Sequence, residues 1–267
     1  MREETYSHGH HRSVVQAHAA RTAKDSAAYL LPELQPGMNV LDVGCGPGSI
    51  TSDLAELAAP GLVIGLDASE DVLLQARALA AGRGLQNVTF TGGNVYDLDF
   101  PDETFDVVHA HQVLQHLVDP VAALREMRRV TKPGGLVAVR DADFHGMSWH
   151  PATPELAEWM QIYQQIARGN QAEPDAGRHL LSWALEAGFT EITPSSSNWL
   201  YATPEQRARH AGSWSERVLQ SAFADQAIER SLADRPALER ISAGWQAWAQ
   251  APDGWFLMPC GELLARA

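Results

Sequence analysis

The chain has 267 residues, of which 45% are hydrophobic and 20% charged, enough apolar material for the core of one large domain or a domain with a sizeable insertion. Acids outnumber bases 33 to 20, and the net charge of −13 has the wrong sign for a surface that tracks nucleic-acid phosphates. Two cysteines, Cys45 and Cys260, make neither a disulfide framework nor a zinc set, and the polar start and short apolar runs predict a cytoplasmic protein with no secretory signal and no membrane span.

In chain order, residues 1–36 read as a lead-in. Tyr6 to His11 is a polar stretch, with His8, His10 and His11 read as a polar terminus rather than a metal site. From about Ser13 to Leu31 the pattern predicts a helix with Val15, His18, Ala19, Thr22, Ser26 and Tyr29 on one side, ended by Pro32 and Pro36. Its modest hydrophobicity requires a partner surface.

Residues 37–141 alternate continuous apolar runs with amphipathic stretches. The runs are Asn39–Val43, Leu62–Leu66, Val88–Thr91, Phe105–Ala110 and Leu136–Val139, the pattern of strands buried on both faces. Between them, Ile50–Ala58, Glu70–Ala81 and Val121–Arg129 have helical spacing. Alternation of this kind predicts a doubly wound, mostly parallel α/β sheet. Residues 142–267 hold all eight tryptophans. Helices are predicted over Glu155–Arg168, Ala176–Ala187, Pro204–Ala224 and Pro236–Ala249, and strands over Thr190–Ser196 and Trp255–Ala265. These two strands would complete a seven-stranded sheet, one of them antiparallel, with helical insertions as a substrate cap.

The strongest chemical signal is Val40-Leu41-Asp42-Val43-Gly44-Cys45-Gly46-Pro47-Gly48-Ser49, a buried strand running through a glycine turn into a helix. Such a turn lies where open α/β sheets bind ligands, and Gly44 and Gly46 let backbone approach one closely. The spacing is G-x-G-x-G, with Ser49 in place of the last glycine of a dinucleotide fingerprint. Asp42, expected to point its carboxylate into the crevice, would repel a pyrophosphate and attract a cation. S-adenosylmethionine, a sulfonium and ammonium compound without phosphate, suits that field. A second carboxylate, Asp67 in Val63-Ile64-Gly65-Leu66-Asp67-Ala68-Ser69, ends the second strand, where it can accept both ribose hydroxyls; Ser69 can cap the following helix.

At these residues the chain resembles the class I S-adenosylmethionine-dependent methyltransferases, over roughly Met38–Asp141. Asp42 to Gly48 looks like the family's first motif and Gly65 to Ser69 its second. Gly92-Gly93-Asn94-Val95 falls where the family places an adenine-contacting acid, here Asn94. Phe105 to Leu117 matches the fourth-strand motif, and the resemblance implies that His111 and Gln112 border the reacting methyl. Val130 to Gly135 matches the turn before the fifth strand. The resemblance implies cofactor contacts at Arg21, Asp42, Gly44, Cys45, Gly46, Asp67, Ala68, Asn94, Val95, His111 and Gln112. The lead-in is similar to that of the ubiquinone/menaquinone C-methyltransferase-like small-molecule subgroup, which includes methyltransferases of natural-product thiols. It implies a helix folded over the cofactor as a lid, with Arg21 on the methionine carboxylate.

His109, His111 and His116 lie near one strand end; His109 and His111 share a face by strand spacing, and no metal site is predicted. After the fifth strand, His145 is a candidate general base. His116, His145, Trp149 and Trp199 are candidates for the substrate pocket, with Trp214 a further apolar wall. The expectation is therefore in-line methyl transfer to a small acceptor of natural-product, quinone or thiol type by a monomer or homodimer, in secondary metabolism, with no nucleic-acid partner. The alternatives are a non-catalytic S-adenosylmethionine-binding protein and a nicotinamide-dependent oxidoreductase.

Overall fold

The apolar runs form the parallel part of one sheet. The structure is a computed structural model and describes residues 18–267; the expectations for Tyr6 to His11 and for the helix start at Ser13 lie outside those residues. Strands β1 (Val40–Val43), β2 (Val63–Asp67), β3 (Val88–Gly92), β4 (Phe105–His111) and β5 (Thr131–Ala142) run parallel in the order β3-β2-β1-β4-β5. A four-residue α1 (Ala23–Ser26) precedes them. Helices α2 (Ser49–Ala58), α3 (Glu70–Gly82) and α4 (Pro120–Val130) are the crossovers.

Strand alternation divides the core into two layers. Leu41, Val108, Val137 and Leu263 pack on one face with Leu124 and Met127 of α4. Val40, Val107 and Ala138 pack on the other with Ala27 and Leu30 of the lead-in and Leu54 of α2. Two residues further along those same strands the second face turns polar, at Asp42, His109 and Arg140, all buried.

The last third builds a cap and closes the sheet. Helices α5 (Pro154–Gly169) and α6 (Leu180–Glu186) are followed by β7 (Glu191–Tyr201), then α7 (Pro204–Gln220), α8 (Ala222–Glu229) and α9 (Arg235–Gln250), and finally β8 (Trp255–Arg266). Strand β8 is antiparallel and lies between β5 and β7. Trp159, Trp214, Trp245, Trp248 and Phe256 form the centre of the cap.

Three expectations need correction. The sheet has eight strands, not seven, because β8 runs past the end of β5 and leaves an edge that the three-residue β6 (Ser148–His150) fills by pairing with Trp255 to Leu257. The lead-in is not one helix to Leu31. Thr22 and Asp25 form a capping box that starts α1 afresh, and a 3₁₀ turn at Leu31–Glu33 follows. The helix expected over Pro204–Ala224 splits at Ser221, whose hydroxyl donates to the Arg217 carbonyl and accepts from the Phe223 amide. No helix among the described residues is long and apolar enough to cross a membrane.

Candidate functional site

The glycine turn is built by β2. The amides of Gly44 and Cys45 both donate to the Leu66 carbonyl, at 2.7 and 3.0 Å. The Gly46 amide donates to Asp67 Oδ2 at 2.9 Å, and the Ser69 amide to Asp67 Oδ1 at 3.0 Å. Gly44 has φ +66°, and a Cβ there would lie 2.4 Å from Val113 Cγ2. Gly46 has φ +55° and no atom within 4 Å of the place a Cβ would take. The first glycine is therefore required by packing, and the second leaves open space above the turn.

Around that space stand the ends of β1 to β3. Asp67 is half-buried and Ala68 and Asn94 exposed, while Val95 is buried. Asn94 Oδ1 accepts from the Tyr96 amide at 3.0 Å. Cys45 is buried, and burial pushes its thiol pKa up, so it is an apolar wall and not a nucleophile. An open glycine flanked by a carboxylate and an amide at neighbouring strand ends fits an adenosine ligand.

Asp42 does not face that space as expected. It is buried at the back of the turn, with Oδ1 2.7 Å from His109 Nδ1 and Oδ2 accepting from Thr51 Oγ1 at 2.5 Å. Its neighbour Val43 takes the opposite face, so strand alternation sends Asp42 into the layer under the lead-in. It shapes the crevice from behind.

His109 and His111 do share a face. Across the sheet His111 is in register with Arg140, Arg140 with Glu262, and Glu262 with Ser195. Arg140 Nε donates to Ser197 Oγ at 3.0 Å and to Glu262 Oε1 at 3.2 Å, while its two terminal nitrogens have no hydrogen-bond partner among the described residues. Both His111 nitrogens also lack one, and burial, reinforced by Arg21 and Arg140, holds its pKa well below the ordinary histidine value. Gln112 has φ +55°, its amide donating to the Arg140 carbonyl at 2.7 Å, and Oε1 accepts from Arg21 Nη2 at 2.6 Å.

A cavity of about 700 Å³ opens beside this corner. Arg21 and Gln112 line it at one end, with Phe144, Trp199, Trp214 and Met258 among its walls. Of the expected pocket residues, His116 and Trp199 line it. Trp149 does not; it stacks on Phe256, ring centroids 5.8 Å apart, inside the cap. His145 is exposed and outside the cavity, because the Phe144–Gly146 turn buries Phe144 and sends the next side chain outward. It is therefore not placed to act as a base.

Sequence reading missed Tyr201 and His210. Both line the cavity, their rings stacked at 3.9 Å, and His210 Nε2 has no hydrogen-bond partner among the described residues. The available signal was the i, i+4, i+7 spacing of His210, Trp214 and Arg217 on α7, which puts three cavity residues on one helix face. Burial pushes His116 and His210 down to about 3 and Tyr201 up to about 12, so all three are neutral at physiological pH. No group of three or more potential metal ligands occurs among the described residues.

Comparison with known proteins agrees with this geometry. A family model described as a methyltransferase domain matches residues 34–203. An uncharacterized methyltransferase of Schizosaccharomyces pombe is 34% identical over 267 residues, covering 97% of this chain and 95% of that protein. A protein named as a probable methyltransferase in Aspergillus luteorubrus is 40% identical over 281 residues, covering 97% and 96%. Among solved structures, phosphoethanolamine N-methyltransferase 2 of Haemonchus contortus, in complex with S-adenosyl-L-methionine, has a TM-score of 0.56 at 20% identity, over 87% of this chain and 49% of that one. At that identity the likeness is one of fold.

Proposed function

The chain belongs to the class I S-adenosylmethionine-dependent methyltransferases, with S-adenosylmethionine as its cofactor, and from that premise we propose that it methylates a small acceptor held in the cavity beside Gln112. The observation that carries this reading is the cavity itself. Its volume of about 700 Å³ is that of a small-molecule site, and aromatic and thioether side chains share its walls with polar and charged ones, Gln112, Gln206, Arg209 and Glu216 among them. An acceptor of natural-product, quinol or thiol type has the size and character to fill it.

In this reading Asp67 accepts the ribose hydroxyls and Asn94, next to Val95, meets the adenine edge. The backbone of Gly44, Cys45, Gly46 and Ala68 makes the floor. Arg21 pairs with the methionine carboxylate, and His111 and Gln112 border the reacting methyl. The bound cofactor supplies an electrophilic methyl on a sulfonium leaving group.

The protein's share is positioning. The cavity walls align the acceptor nucleophile with Gln112 for an in-line displacement, and the lead-in with α7 to α9 forms a lid that excludes water. His116 and His210 remain neutral and offer hydrogen bonds rather than charge. An acceptor that ionises readily, or carries no acidic proton on its nucleophile, then needs no strong base.

The test is a screen of thiols, phenols, amines and quinols with methyl-labelled S-adenosylmethionine, read by mass spectrometry. The reading expects the label on a small molecule. Label found only on protein or nucleic acid would refute it.

A further inference from the structure

The lead-in is fastened from two sides. On the cofactor side, Ser49 Oγ donates to the His18 carbonyl at 3.2 Å, and the Ala23 amide donates to Asp53 Oδ2 at 2.8 Å; Ser49 and Asp53 belong to the helix that follows the glycine turn. On the acceptor side the fastening residue is Trp199, on a strand that pairs with β8 along its whole length of eleven residues. Its indole Nε1 donates to the Asp25 carbonyl at 3.0 Å. Arg21 Cζ lies 5.1 Å from the ring centroid, and the same Arg21 reaches Gln112.

The ring also meets the floor of the site. Arg140 Cζ is 4.6 Å from its centroid, and the His111 ring is 5.5 Å away at 59°. Arg140 is fully buried; its Nε meets the Glu262 carboxylate, its terminal nitrogens have no hydrogen-bond partner among the described residues, and the negative face of the indole adds a second favourable surface against the guanidinium. One indole therefore touches the lead-in, the sheet residue bordering the reacting corner, and the acceptor cavity. Its rigid strand fixes where all three sit.

We propose that Trp199 is a positioning residue for the cofactor, holding the lead-in closed over the crevice from the acceptor side through Asp25 and Arg21. Closure over the cofactor and the inner wall of the acceptor cavity are then set by the same side chain. The proposal rests on the cofactor and not on the identity of the acceptor, so its failure would leave the small-molecule reading standing.

A strap that opens more easily releases its ligand faster, so the effect belongs in dissociation. The experiment is titration calorimetry and stopped-flow dissociation of S-adenosylmethionine with the full chain and three variants, Trp199→Phe, Trp199→Ala and Arg21→Gln, and with Arg21→Gln combined with Trp199→Ala. Loss of the indole hydrogen bond and the ring over Arg21 predicts about tenfold weaker binding in Trp199→Ala, carried by faster dissociation. Trp199→Phe, which keeps a ring but loses the N–H, is expected to lose about threefold. The two single losses are expected to sum to more than the double variant shows, because both break one contact. The melting temperature of the ligand-free protein reports any purely structural role; if Trp199→Ala does not fold, Trp199→Phe carries the test. Affinity within twofold of the parent in the folded Trp199 variants, or additive losses in the double variant, would overturn the proposal.

Discussion

Asp42 and His109 meet on neighbouring parallel strands, with Oδ1 2.7 Å from Nδ1, and Thr51 donates to the other carboxylate oxygen. Both members are buried behind the glycine turn. Removing one partner leaves a polar group without compensation, so Asp42→Ala should lower unfolding stability by about 3 kcal/mol. Asp42→Asn, which retains hydrogen-bonding capacity, should cost clearly less. Urea titration of the two variants checks this, and equal losses would show that the amide cannot replace the carboxylate and that its charge, not its hydrogen-bonding capacity, holds the pair.

Asp67 ties Gly46 and Ser69 together and keeps lone pairs free for the ribose hydroxyls that the proposed function assigns to it. Two hydrogen bonds to a charged acceptor predict that Asp67→Ala weakens S-adenosylmethionine binding about a hundredfold. Calorimetric titration reads it, and an unchanged affinity would remove Asp67 from the cofactor site.

Asp141 makes stability depend on pH. It is fully buried, its Oδ1 accepts from the Gln115 amide at 3.1 Å, and its Oδ2 has no hydrogen-bond partner among the described residues. Burial raises its carboxyl from 3.8 to about 7. A carboxyl raised on folding contributes stability that is present below pH 4 and lost as pH rises through about 7. His116 and His210, lowered to about 3, act in the opposite direction and cost stability as pH falls below 6.5. The difference between the parent and Asp141→Asn isolates the first effect. The parent should lose ground to the variant by up to about 4 kcal/mol between pH 4 and 7. Denaturant titrations across that range measure it; a flat difference would contradict the assignment.

His210 separates function from packing. It stands between Tyr201 and Phe256 with an unpaired Nε2, so replacing it with phenylalanine removes an unsatisfied polar atom from an aromatic wall. His210→Phe should hold or raise the melting temperature while lowering kcat/KM for the acceptor about tenfold, through the lost hydrogen bond. A variant that melts earlier and turns over normally would reverse that assignment.

The glycine turn and the carboxylate beside it were legible because their signals are local. A glycine that must take positive φ, and a carboxylate at a strand end, are visible in a few consecutive residues. Asp42 shows the limit. Its charge and place on β1 were readable, but the face it takes depends on His109, which comes 67 positions later. The acceptor half depends wholly on such distant pairings. Tyr201, His210 and Met258 come from β7, α7 and β8 and meet only after β8 has inserted between β5 and β7. His145 and Trp149 looked equally suitable in sequence, and a single 3₁₀ turn and a three-residue strand sent them elsewhere. The same distance hid the row from His111 through Arg140 to Glu262, which exists only as strand register.

The central claim is that the cofactor lies over Gly46 against Asp67 with its sulfur turned to the cavity beside Gln112. A crystal structure with S-adenosylhomocysteine bound tests it most directly. The account predicts ribose hydroxyls on the Asp67 carboxylate and the sulfur facing the space between Gln112 and Trp199. A ligand whose sulfur points away from that cavity, or one seated inside it with the Gly46 crevice vacant, would contradict the account.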